Sequence, residues 1–200
     1  MSYILTYKKI EFYPLEPRVN DIDIEDVAHA LSLLCRANGH FKHFYSVGQH
    51  SLNCAKEALA RGYSTRVAMG CLIHDASEAY LADITRPVKK HLHKYLEIED
   101  KLQGEIFEKW VPSLTEDETK LIFEIDDAIL YYEFINLFGE KIFDYVPDLK
   151  SNPEFEQLEF SRVEKEFLSL FNEFISQSDY RKNSQTPCKE VAVPFTVNIP

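Results

Sequence analysis

The sequence predicts an all-α fold, and three observations carry that prediction. Apolar residues recur at three- and four-residue intervals in successive windows from residue 23 onward. Asp23 stands as a cap ahead of the first of these windows, and Thr65 opens a later one. Strand-like alternation is confined to the first twenty residues and to a short β-prone run at the very end. At 200 residues the chain is most simply one domain with its own core.

The elements follow in order. "YILTYKKIEFYPLEP" alternates aromatic and polar residues and ends at prolines, which predicts a short N-terminal strand pair or an extended arm. Asp23 is placed to cap a helix, with Asp26 three residues on as the second half of a capping box and Val27, Leu31 and Leu34 along one face. "RANGHFKHFYS" contains Gly39 and reads as a loop. A helix from about Val47 to Arg61 carries Val47, Leu52 and Cys54, and Gly62 ends it. Thr65 opens a helix expected to run to about Leu81, with Pro87 marking the following break. Further helices are expected over Val88 to Trp110, Glu116 to Phe138 and Phe160 to Ser176. The second of these has Leu121, Ile125, Ile129 and Tyr132 at helical spacing. From Ser178 the chain turns polar and proline-containing, so the expected division is a domain over 1–177 and a tail over 178–200 that is disordered or docked.

A formal net charge of −11 argues against binding long nucleic acid or an anionic membrane, because that binding rests on lysine and arginine neutralising phosphates. A small phosphorylated ligand needs only a local basic cluster. "RPVKKHLHK" supplies one in Arg86, Lys89, Lys90 and Lys94, and reads equally well as a solvated helix start. Cys35, Cys54, Cys71 and Cys188 show no C-x-x-C spacing and three of them sit among apolar residues, which predicts reduced thiols and a cytoplasmic setting. No secretory leader pattern and no apolar run approaching roughly 18 residues is present, so neither export nor a membrane partner is expected. The aromatic stretch "EFLSLFNEFI" reads either as core or as the contact of a homodimer.

In "CLIHDASEAY" a histidine and an aspartate, His74 and Asp75, stand side by side behind an apolar run. Adjacent helical residues point about 100° apart, so the two can act as cis ligands to one cation over the edge between them. His50 in "SVGQHSLNC" is a second helical histidine, and Asp126 is a carboxylate in an apolar helix. Two imidazoles with two carboxylates suit Mn²⁺, Co²⁺, Fe²⁺ or Mg²⁺ with open positions, and not a closed structural zinc site. Taken singly, each also reads as a satisfied core or capping residue. Glu78 lies four residues beyond His74, on the same face of a continuous helix.

The order His50, His74-Asp75, Asp126 resembles the H…HD…D signature of the HD-domain metal-dependent phosphohydrolases. The words "CRANGHFKHFYSVGQHS", "HDASEAYLADITRPVK" and "IDDAILYYE" are similar to its branch of bacterial 5′-deoxynucleotidases and phage-type nucleotide phosphohydrolases, over roughly residues 3 to 175. The resemblance implies a compact helical bundle around one divalent ion held by His50, His74, Asp75 and Asp126. Asp126 is preferred over Asp127 because the family pattern of Leu at +4 and Glu at +7 is met by Leu130 and Glu133. It also implies catalytic roles for Glu78 and Asp83, phosphate contacts from Arg36 and Lys89, and a pocket-facing His40. Beside Glu78 as catalyst stands a reading in which it only orients a ligand histidine.

Some relatives add two histidine ligands for a second metal. Here His91 and His93 are two apart, about 200° on a helix, and cannot face one ion. Hydrolysis of a (deoxy)nucleotide phosphate ester is the implied reaction. A deoxynucleoside 5′-monophosphate is the first substrate and a triphosphate the alternative; a catalytically silent nucleotide-binding or scaffold module is the reading from another class.

Overall fold

The computed structural model describes residues 3–177, and the expected tail over 178–200 lies outside them. Strands β1 (Ile4–Leu5) and β2 (Glu11–Phe12) pair antiparallel with Ile4 opposite Phe12, so the N-terminus is the strand pair and not an arm. Phe12 is buried and its ring stacks on Tyr80 at 3.9 Å, pinning the hairpin to the helices.

Helix α1 (Ile24–Leu33) starts where Asp23 accepts the Glu25 N–H at 2.8 Å. Asp26 does not complete a capping box. Its carboxylate accepts the Lys8 N–H at 2.6 Å and ties the hairpin to α1. Ser46 caps α2 (Val47–Ala60) and Ser64 caps α3 (Thr65–Ile73), each accepting the N–H three residues on. After α3 come two single turns, α4 (Glu78–Leu81) and α5 (Arg86–Lys89), then three long helices, α6 (His93–Trp110), α7 (Glu116–Leu137) and α8 (Phe160–Gln177). Thr115 and Glu118 form a reciprocal capping box at the start of α7.

Three local expectations are corrected. The helix opened by Thr65 does not reach Leu81; it stops at Ile73, and residues 74–77 form turns closed by i→i−3 bonds such as Ala76 N–H to Ile73 O at 3.0 Å. Pro87 does not break a helix but sits in the first turn of α5, where its missing N–H has no partner to lose. The helix expected from Val88 therefore begins at His93. In the loop before α2, Ala37, Asn38 and Gly39 all take positive φ (55°, 51° and 75°), a conformation that suits the glycine and asparagine and strains the alanine.

The core gathers around α2 and α3, covered by α1, α7 and α8. Leu52, Met69, Leu72, Ile73, Ile125, Ile129 and Phe167 are all nearly or wholly buried in it. Phe167, Phe171 and Phe174 on α8 are buried in the core, so these rings of the aromatic stretch pack within the chain. Gly48 lets α1 and α2 approach closely where they cross, since a Cβ there would lie 3.1 Å from the Leu31 carbonyl. Most polar residues of α2 have a structural partner: Gln49 and Asn53 donate to the Glu154 carbonyl, and Glu57 accepts from Lys150 and Ser151. His50 is the polar residue of that helix whose free atom faces the site. No helix among the described residues is long and apolar enough to cross a membrane.

Candidate metal centre

His50 on α2 is wholly buried, and its Nδ1 donates to Glu133 Oε1 at 2.6 Å. His74, at the end of α3, donates from Nδ1 to the Cys71 carbonyl at 2.8 Å. Both partners only accept, so Nδ1 is the donor in each ring, and in the neutral imidazole Nε2 is left bare and turned inward. These two nitrogens stand 3.3 Å apart. Asp75 Oδ2 lies 3.3 Å from His74 Nε2 and 3.8 Å from His50 Nε2. Asp126 Oδ1 lies 3.1 Å from His50 Nε2 and 3.7 Å from His74 Nε2.

Ligands around one ion at about 2.1 Å stand roughly 3.0 Å apart in an octahedron and 3.4 Å in a tetrahedron. Three of the five separations, at 3.1 to 3.3 Å, match that spacing, and the other two, at 3.7 and 3.8 Å, lie a few tenths of an ångström beyond it. Two imidazole lone pairs and two carboxylate oxygens converging on one point repel one another unless positive charge lies between them, so the donor set fits a divalent cation. The same point is electrically negative: burial opposes charge on His74, but the Asp75 and Asp126 carboxylates outweigh it and raise the imidazole pKa well above its usual range, the potential that also draws a cation. Burial likewise opposes ionisation of Asp126, and hydrogen bonds from His50 and His74, with Arg86 nearby, hold it well below the usual carboxylate range.

Arg86 distinguishes the two neighbouring aspartates. Its Nη2 donates to Asp126 Oδ2 at 2.7 Å, turning Oδ1 toward the imidazoles, while Nη1 donates to the half-exposed Asp127 at 2.9 Å. Cys54 Sγ is 3.4 Å from His50 Nε2, and His50, Cys54, His74 and Asp126 all place donor atoms within 4.8 Å of one another. Burial and the Asp126 charge push the Cys54 pKa well up, so it is a neutral thiol packed beside the imidazole.

A cavity of about 400 Å³ opens against this cluster. Its polar lining includes Arg36, Asp75, Glu78, Asp83, Arg86 and Lys89, so the structure brings most of the sequence-derived candidates to one place. Glu78 opens α4 and is buried. Its Oε1 lies 3.5 Å from Lys89 Nζ, and its Oε2 has no hydrogen-bond partner among the described residues. Burial first, then the charges of Asp75 and Asp83, raise its pKa well above the carboxylate range, with Lys89 and Arg36 offsetting part of the rise.

Lys89 also donates to Glu99 at 2.8 Å, and Asp83 accepts the Ala37 N–H at 3.2 Å. Arg36 is bound on three sides, with Nε donating to Glu133 at 2.9 Å and its other nitrogens 3.4 Å from Asp75 and 3.6 Å from Asp126. His40 is different. It is exposed at the end of the left-handed loop and does not line the cavity, because the three positive-φ residues turn the chain away before it. His91, in the turn before α6, and His93, at the start of that helix, are both exposed, and neither lines the cavity.

Three contributors were not assigned roles from the sequence. Glu133, seven residues beyond Asp126 and so on the same helical face, fixes His50 and Arg36. Arg86 was visible as part of a basic cluster but not as the clamp on Asp126. Gln103 on α6 had no local signal; its carboxamide accepts the Ser77 N–H at 3.0 Å and donates to the Ile73 carbonyl at 2.9 Å, spanning the break that carries His74 and Asp75.

Comparison with known proteins adds to this geometry. A family model described as HD domain matches residues 35–185. The Uncharacterized protein YfdR of Escherichia coli K12 is 40% identical over 110 residues, 55% of this chain and 59% of that protein. An uncharacterized protein of Rhodobacter capsulatus is 40% identical over 98 residues, 46% of this chain and 50% of its own length. The chain thus spans between half and three-fifths of the curated relatives it matches.

Proposed function

The chain belongs to the HD-domain family, and from that premise we propose that it is a metal-dependent phosphohydrolase that cleaves the phosphate ester of a deoxynucleoside 5′-monophosphate. The observation that carries the reading is the convergence of His50 Nε2, His74 Nε2, Asp75 Oδ2 and Asp126 Oδ1 at the wall of a cavity that also holds a buried, half-unpartnered carboxyl group, Glu78.

Those four residues would hold one divalent ion, Mn²⁺, Co²⁺, Fe²⁺ or Mg²⁺, which when bound supplies Lewis-acid activation of water and phosphate. Glu133 fixes the tautomer of His50 and keeps Nε2 free for that ion. Glu78, whose ionisation burial opposes, is the group to give a proton to the departing 5′-oxygen. Lys89 and Arg36 offset charge on the phosphoryl oxygens, and Asp83 faces the same space toward the sugar. The free thiols of Cys35, Cys54 and Cys71 accord with a cytoplasmic setting.

A second reading has its own observation. Lys90 also lines the cavity beside Arg36 and Lys89, positive charge beyond what one phosphate needs, which favours a triphosphate whose whole chain is removed. The test is elemental analysis of the purified protein, followed by assay of deoxynucleoside mono- and triphosphates with product identification. One ion per chain and nucleoside plus inorganic phosphate from monophosphates is the expected result. Released tripolyphosphate supports the second reading, and metal uptake with no hydrolysis of any nucleotide overturns both in favour of a silent binding module.

A further inference from the structure

We propose that Tyr95 is a positioning residue of the site: its hydroxyl, bonded to the Ala82 carbonyl, holds the chain in a conformation that alanine avoids and thereby keeps Asp83 in the cavity wall. The inference rests on the nucleotide phosphohydrolase reading above and adds to it a residue that lies outside the cavity lining.

Ala82 is where the chain leaves α4 and turns into the wall of the cavity. Glu78 opens α4 on one side of it, and Asp83, Ile84, Thr85, Arg86 and Lys89 line the cavity on the other. Its φ of 108° and ψ of 154° fall in a region occupied almost only by glycine, because a Cβ crowds the backbone there. The residue is exposed, so packing of its methyl group does not hold it in place. Such strain persists only where the surroundings over-determine the backbone.

Three contacts do so. The Ala82 N–H donates to the Glu78 carbonyl at 3.0 Å, and the Asp83 carboxylate accepts the Ala37 N–H at 3.2 Å. From α6, the Tyr95 hydroxyl donates to the Ala82 carbonyl at 2.7 Å. That carbonyl belongs to the peptide group between Ala82 and Asp83, so the last bond fixes ψ of Ala82 and with it the direction in which Asp83 leaves.

The hydroxyl has one proton, and the shorter contact takes it. Glu99 Oε1 lies 3.3 Å from the same oxygen and already accepts Lys89 at 2.8 Å. Lys89 Nζ also stands 5.9 Å from the centre of the Tyr95 ring, a contact that phenylalanine keeps. Without the hydroxyl, Ala82 is free to relax toward a negative φ and carry Asp83 out of the wall. Glycine at position 82 has no such drive, since it occupies the observed conformation without strain. The role of Tyr95 therefore depends on residue 82 being alanine, a coupling that a purely structural tyrosine lacks.

The test is a double-mutant cycle in the full chain loaded with Mn²⁺, with Tyr95→Phe and Ala82→Gly made singly and together. Metal content, thermal unfolding, and kcat and KM with deoxyadenosine 5′-monophosphate are measured on each. We expect Ala82→Gly to melt about 2–4 °C above the parent with parent-like kinetics. Tyr95→Phe should bind the parent amount of metal and raise KM about 2- to 12-fold, the factor that one neutral hydrogen bond represents, with kcat little changed. In the Ala82→Gly background the same change should leave KM within about twofold. An equal rise in KM in both backgrounds overturns the proposal, since it assigns the hydroxyl to Glu99 and Lys89. So does an unchanged KM in Tyr95→Phe, or a melting temperature below the parent for Ala82→Gly, which would mean that alanine bears no strain there. Each of these leaves the phosphohydrolase reading standing. No phosphate released by the metal-loaded parent overturns that reading and the role of Tyr95 together.

Discussion

The side chain of Gln103 takes the place of the backbone hydrogen bond that would bind Ser77 to the preceding turn. In an unbroken helix the Ser77 N–H would reach the Ile73 carbonyl; here Gln103 Oε1 accepts that N–H at 3.0 Å and its Nε2 donates to the carbonyl at 2.9 Å. The helix is thus held open by one carboxamide, and His74 and Asp75 leave it on turns that let both reach the same point.

Replacing that carboxamide is the first prediction. Gln103→Leu leaves the buried Ser77 N–H unsatisfied, a loss of about 1–3 kcal/mol in stability. It should also weaken metal affinity by roughly 10- to 100-fold, as changes to groups that orient ligands do. Thermal unfolding and a metal titration on the same variant check both. Parent-like metal affinity would show that the break holds its shape without Gln103.

Glu133 binds His50 Nδ1 at 2.6 Å and Arg36 Nε at 2.9 Å with no exposure of its side chain. Glu133→Ala strands an imidazole and a guanidinium in the interior and should destabilise the fold by roughly 3–5 kcal/mol. In Glu133→Gln a neutral acceptor remains, so the expected result is a folded protein with lower metal affinity, read by calorimetric titration with Mn²⁺ or Co²⁺.

For Glu78 the expectation separates chemistry from ligand support. Glu78→Gln keeps shape and loses the ability to move a proton, so phosphate release should fall on the order of 10² to 10⁴ while metal content stays at the parent level. The measurement is rate against metal concentration. Recovery toward the parent rate at saturating metal would assign Glu78 to metal support instead, an outcome not expected of a carboxyl that contacts Lys89 through Oε1 and has no hydrogen-bond partner among the described residues at Oε2.

Acid should loosen the segment around residues 148–151 through Glu57. Burial opposes its ionisation, but the Ser151 hydroxyl, Arg61 and the backbone N–H groups of Ser151 and Lys150 outweigh it and lower its pKa. A carboxyl with a depressed folded pKa stabilises the native state above its unfolded value, about 4.3, and that contribution is lost as pH falls through the folded value. Glu57→Gln should therefore melt below the parent at pH 7, with the gap narrowing as the pH is lowered past about 4. A pH-independent gap would assign the loss to packing alone.

What the sequence determined by itself was whatever depends on neighbours along the chain. Asp23, Ser46 and Thr115 start helices because a cap acts within three residues, and Gly62 ends α2 by a backbone conformation glycine adopts freely. The residue types for a metal site were legible too, since His74 and Asp75 are adjacent and Leu130 and Glu133 mark a face of α7 with Asp126. Only the tertiary structure decided how these are used. Gln103, 26 residues beyond Ser77, opens a helix whose own periodicity reads as continuous. Arg86, 40 residues before Asp126, holds that carboxylate in place, while Asp127 stays half exposed. Lys8 draws Asp26 away from the cap its spacing suggested, and the left-handed run at Ala37–Gly39 leaves His40 in solvent. The physical reason is common to the first three: a hydrogen-bond group takes the partner that chain closure brings to it, and closure depends on contacts far apart in sequence, where no local pattern records them.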